Sequence, residues 1–141
     1  MVHTHTGENL SLVFALGERY LADALSRVNW FLRDHYTGEV GTMDPRLLDQ
    51  LFDLKQAFQT EQTFHVISGY RCPATNAVLR RRGGGVARNS LHVEGRAIDI
   101  RLPGVALGNL RDAALAMNSG GVGYYPTSDF VHIDTGRARS W

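Results

Sequence analysis

RAIDIRLPGVALGNLRDAALAMNSGGVGYYPTSDFVHIDTG, residues 96–136, decides the fold. Its opening, RAIDIRL, alternates apolar and polar positions and reads as a strand. LGNLRDAALAMN reads as a helix, and GGVGYYP and DFVHIDTG as two more short strands joined by a turn at PTS. With helices earlier in the chain, this pattern argues for an α+β domain: a small, mainly antiparallel sheet flanked by helices.

The helices come first. From Glu18 to His35, Leu21, Leu25, Val28 and Leu32 recur at helical spacing. TGEVGTMDP then breaks the chain, with Asp44 a good N-cap and Pro45 suited to the first helical position. The second helix buries Leu47, Leu48, Leu51, Leu54 and Phe58. Ahead of both, residues 3–16 read as a hairpin around TGEN. After Gln62, TFHVISGY reads as a strand and CPATNAVLRRR as a short helix with Pro73 in its first turn. GGGVARNS reads as a flexible loop. There is no internal repeat.

At 141 residues the chain fits one domain, 1–141, able to bury about two thirds of its unfolded surface. Its 43% hydrophobic and 21% charged residues suit a globular protein. A net charge of +1 gives no electrostatic case for nucleic acid or an acidic membrane. No apolar run approaches the ~20 residues of a transmembrane segment. MVHTHTGENL has no charged n-region and no apolar core, so no leader is read there. The single Cys72 rules out an internal disulfide and a cysteine-rich zinc site, and nothing pairs it with a base as a nucleophile.

SLHVEGRAID, residues 90–99, raises the question of chemistry. Catalytic zinc takes three protein ligands from His, Asp or Glu. Six residues separate His92 from Asp99, room for a loop to turn back at Gly95. His132, on a strand able to pair beside Asp99, is the best third candidate. On that strand Phe130, His132 and Asp134 share a face, whereas Asp129 needs twist or a bulge to reach it. Taken alone, each of these residues fits an ordinary loop or strand as well. His65 reads as a packed strand residue; His3, His5 and His35 read as surface or hairpin residues, His3 and His5 able to bind metal adventitiously. The arginines of LRRRGGG suit a helix C-terminus, with substrate carboxylates as a second reading. Tyr124, Tyr125 and Trp141 read as core residues that could instead line a cleft.

SGYRCPATN (68–76), SLHVEGRAIDI (90–100), GGVGYYP (120–126) and DFVHIDTG (129–136) together resemble the zinc peptidases of the lysostaphin, D-Ala-D-Ala peptidase and hedgehog group. The likeness is strongest to the bacterial murein endopeptidase branch. The pattern Ser-x-His-x-x-Gly-x-Ala-x-Asp is met by Ser90, His92, Gly95, Ala97 and Asp99. The resemblance implies Zn²⁺ held by His92, Asp99 and His132, and a catalytic role for Arg71 on the scissile carbonyl or its oxyanion. It places the general base three positions before the last His, at Asp129, where many relatives have Glu. Asp134 is the competitor, as base or as a group that orients His132. The implied function is hydrolysis of peptide cross-links or stem peptides of peptidoglycan, by a monomer exported to the periplasm or cell envelope. The alternative is a zinc-containing peptidoglycan-binding domain without turnover.

Overall fold

The computed structural model describes residues 1–83 and 85–141. A six-stranded sheet contains β1 (Val2–His3), β4 (His65–Ser68), β5 (Ala97–Arg101), β6 (Gly121–Tyr125), β7 (Phe130–Asp134) and β8 (Arg139–Ser140). Its order is β1-β4-β5-β7-β6-β8. The three central pairings are antiparallel, and the two edge strands β1 and β8 run parallel to their neighbours. The expected α+β class with a mainly antiparallel sheet therefore holds.

Strand alternation gives the sheet two buried faces with different jobs. Ile98, Ile100, Val131 and Ile133 join the apolar core. There they meet α2 (Arg46–Phe58) through Leu47, Leu51 and Leu54, and α4 (Leu107–Met117) through Leu110 and Ala114. Each such aliphatic side chain contributes about 1.5–3 kcal/mol by leaving water. Asp99 and His132 alternate with these residues and face the other way. Core packing on one side thus fixes the functional side chains on the other.

α2 starts one residue later than the sequence placed it, with Pro45 and not Asp44 at the N-cap. The Asp44 carboxylate accepts the Arg46 N–H at 3.0 Å. α1 (Ala22–Phe31) begins later than expected. Residues Ala15–Leu16 (β2) and Arg19–Tyr20 (β3) first form a small hairpin across Gly17 and Glu18. The hairpin read over residues 3–16 is reduced to one bridge between Val2 and Asn9, closed by His3 N–H on the Glu8 carbonyl. The reason is competition. Val2 and His3 pair with β4 in the main sheet, and Leu10 turns into the core. α3 (Pro73–Arg81) ends on Arg80 and Arg81, as its composition suggested. The loop read over residues 83–90 includes Gly84, which lies outside the described residues.

His3 is not a surface residue: it is fully buried, and it clusters with His5 and His35. Its Nδ1 accepts the His5 and Thr6 N–H groups. In the neutral ring the proton therefore sits on Nε2, which disqualifies His3 as a metal ligand. Burial, then the neighbouring His5, pushes His3 and His35 down to about 4. In the unfolded chain they return to the ordinary 6.5. Between these values the unfolded state binds more protons. Stability is therefore undiminished above pH 6.5 and falls as the pH drops toward 4. Urea midpoints measured from pH 7 to 4.5 should fall accordingly, and His35→Gln should flatten the slope.

Candidate metal centre

β5 and β7 set Asp99 directly opposite His132 across an antiparallel pair. His92 arrives from the loop ahead of β5, and that loop is closely held. Ser90 Oγ accepts the His92 N–H at 3.2 Å, and the His92 carbonyl accepts the N–H groups of Arg71 and Gly95. Gly95 lies at φ +70°, and its carbonyl accepts the Asp44 N–H at 2.7 Å. A side chain there would meet the Thr42 carbonyl oxygen at 2.0 Å. The turn that returns His92 to Asp99 is thus a position for glycine.

The hydrogen bonds assign the tautomers. His92 Nδ1–H donates to the Gly69 carbonyl at 2.7 Å, which leaves Nε2 bare and 3.2 Å from Asp99 Oδ1. His132 Nε2–H donates to Asp134 Oδ2 at 2.8 Å, which leaves Nδ1 bare and 3.1 Å from the same Asp99 oxygen. With both rings neutral, three electron-rich atoms converge. One ligand atom from each residue lies within 4.8 Å of the others, and all three residues are buried. Such a cluster suits a cation: neutral imidazoles and a carboxylate are metal-ligand forms, and the remaining ring nitrogens are tied to carbonyl and carboxylate.

Proton affinities reflect the same crowding. Burial opposes a charged His132, but Asp134 and Asp99 outweigh it and lift the imidazole to about 9. Burial likewise opposes ionisation of Asp99, and His92 and His132 overcome it, holding the carboxyl well below the usual range. Without another cation, the cluster recruits a proton.

Asp134 is completely buried and its carboxylate is filled. Oδ1 accepts the Gly121 and Gly136 N–H groups and Arg139 Nη1, while Oδ2 accepts His132 Nε2–H and Arg139 Nη2. Burial resists its charge, but His132 and Arg139 keep it ionised. Asp129 is placed differently. It sits at φ +58°, its side chain is 64% exposed, and its carboxylate pairs with Arg101 at 3.3 Å. It is not among the residues lining the cavity beside the cluster.

That cavity, of about 200 Å³, is walled by Arg71, residues 85–87 and 89–92, Tyr125, Phe130, Arg139 and Trp141. Arg71, predicted from its motif, is therefore present. Arg139 and Trp141 sharpen the sequence reading. Arg139 grips Asp134, a partnership that no local spacing announces. Trp141, half exposed, sets its ring 5.0 Å from that of His132 and donates Nε1–H to Tyr125 Oη at 2.7 Å. Gly123 makes that seat possible, because a Cβ there would meet the indole at 2.7 Å. Tyr125 lines the cavity, whereas Tyr124 packs against the core beneath Arg111.

An α+β sheet carrying a His-Asp-His cluster beneath an arginine-lined cavity is the arrangement that the motif resemblance to the D-Ala-D-Ala peptidase group implies. Comparison narrows this further: the chain belongs to the family Peptidase_M15_2, described as peptidoglycan L,D-endopeptidase MepK, whose profile matches residues 1–141. It is 47% identical over 137 residues to the peptidoglycan L,D-endopeptidase MepK of Escherichia coli (strain K12). That match covers 97% of this chain and 75% of the relative. The protein of the same name from Shigella flexneri matches equally. A probable peptidoglycan L,D-endopeptidase MepK from Haemophilus influenzae is 41% identical over 138 residues, covering 97% of this chain and 74% of the relative.

Proposed function

We propose that the chain is a zinc-dependent peptidase that hydrolyses L,D peptide bonds of bacterial peptidoglycan in the cell envelope. The observation that carries this reading is the convergence of His92 Nε2, Asp99 Oδ1 and His132 Nδ1 beside an open, arginine-lined cavity. The relatives' names support the substrate. Among candidate bonds, an L,D specificity favours the diaminopimelate–diaminopimelate cross-link over D-Ala–diaminopimelate. Residues 1–141 serve as one domain, and all the site residues come from one chain, so a monomer suffices. Action on peptidoglycan requires export. Among the described residues no helix is long and apolar enough to cross a membrane.

Two imidazoles and a carboxylate suit zinc, and three protein ligands are what its catalytic sites use. Bound there, zinc would supply Lewis acidity and bring the pKa of an attacking water down toward ~7. Arg71 donates to the scissile carbonyl oxygen and to the oxyanion that develops on it. Asp134 holds the His132 ring with Nδ1 bare, and Arg139 holds Asp134. With both its oxygens occupied, Asp134 is an orienting group. Asp129 is the carboxylate that takes the water's proton and returns it to the leaving amine, a role that requires both its release from Arg101 and its movement into the cavity, which it does not line in this arrangement. Asp129→Ala should lower turnover by roughly 10²–10⁴-fold with zinc retained. Full activity in that variant removes Asp129 from the mechanism.

Digestion of purified peptidoglycan, with and without a chelator, tests the whole reading through its products. Loss of diaminopimelate–diaminopimelate cross-links only when metal is present is the expected result. Bound metal without any cleavage identifies a peptidoglycan-binding domain instead.

A further inference from the structure

Asn76 lies on α3, five residues beyond Arg71, and is only 4% exposed. One amide joins two parts of the cavity wall. Its Oδ1 accepts Arg71 Nη1–H at 3.1 Å. Its Nδ2 donates to the Ala87 carbonyl at 3.1 Å and reaches the Arg88 carbonyl at 3.5 Å. The amide's orientation is dictated by its partners, since a guanidinium only donates and carbonyls only accept. Aspartate would keep the acceptor and turn a charge on the two carbonyls; leucine would satisfy neither side.

Among the described residues, Asn76 Oδ1 is the only hydrogen-bond acceptor of the Arg71 side chain. Asp99 pulls on that guanidinium electrostatically, against the cost of its burial. An arginine left free in this site has other rotamers available and an anion to approach. α3 itself is anchored, because Cys72 at its N-cap donates its N–H to the buried Asp34 carboxylate at 2.9 Å. Asn76 is thus a fixed point from which both the guanidinium and the rim can be aimed.

We propose that Asn76 is a positioning residue that holds Arg71 and the rim around residues 85–89 in one arrangement over the His92–Asp99–His132 cluster. The inference rests on the reading of Arg71 as the donor to the scissile carbonyl. The test compares Asn76→Ala, Arg71→Ala and the double variant on a soluble cross-linked muropeptide, together with metal content and the rate of tryptic cleavage after the exposed Arg88. Asn76→Ala should lower kcat about 10- to 100-fold, the cost of a misplaced group, with metal content unchanged. The double variant should be no slower than Arg71→Ala, because one residue acts through the other. Cleavage after Arg88 should speed up in Asn76→Ala and not in Arg71→Ala. Asn76→Asp, which keeps the acceptor, should recover part of the lost kcat while cleavage after Arg88 stays fast. Wild-type kcat in Asn76→Ala, multiplied losses in the double variant, or unchanged cleavage after Arg88 each overturn the proposal. If the wild-type protein cleaves no muropeptide, the peptidase reading fails separately, and the tryptic measurement still decides whether Asn76 holds the rim.

Discussion

Replacing Asp99 by Asn should reduce turnover on the order of 10³-fold or more, with the fold intact. Asp99 Oδ1 is the atom that both bare imidazole nitrogens face, at 3.2 and 3.1 Å. The amide is nearly the same size, so packing against Ser68 and His132 across the neighbouring strands survives. What goes is the negative charge that balances a cation. A catalytic metal supplies several kcal/mol of transition-state stabilisation, and each 1.36 kcal/mol is tenfold in rate. Circular dichroism matching the wild type, beside lost metal and lost cleavage, is the expected combination. Wild-type turnover in Asp99→Asn would remove the cluster from the chemistry.

Gly95→Ala should have the largest effect on stability. At φ +70° an alanine costs about 1–2 kcal/mol in backbone strain. Its Cβ would also lie 2.0 Å from the Thr42 carbonyl oxygen, and relieving such overpacking costs about 1–3 kcal/mol more. The neighbour is backbone and cannot swing away. A loss of roughly 2–5 kcal/mol is a large part of the ~5–15 kcal/mol that holds a domain together. Thermal unfolding should shift down by roughly 10 °C. Metal affinity should fall with it, because the Gly95 turn is what returns His92 to Asp99. An unchanged melting temperature would contradict the tight docking of this loop on residues 42–44.

The central strands and helices were legible because their side chains obey simple periods. Ile98 and Ile100 alternate with Asp99, and Leu47, Leu51 and Leu54 recur on one helical face, so local pattern and burial agree. The edges were less legible. Val2 and His3 pair with residues more than sixty positions away, and no local signal prefers that partner to a hairpin. His3 looked like a surface residue for the same reason. In the site, the ligand candidates His92, Asp99 and His132 were visible because motif spacing and strand register coincide. Arg139 and Asn76 were not singled out, since their roles depend on contacts that only the folded chain creates, and for Trp141 sequence left core and cleft wall both open where the fold makes it a cavity wall. The two aspartates near His132 show the limit most clearly. Sequence placed Asp134 on the face of His132 and Asp129 within reach only through a twist or bulge, and the facts it lacked are the five hydrogen bonds on Asp134 and the ion pair of Asp129 with Arg101.

Elemental analysis of the purified protein after zinc loading and desalting tests the central claim most directly. One zinc per chain in the wild type, and little in Asp99→Asn, is the predicted result. A wild-type protein that retains no stoichiometric metal would contradict the account.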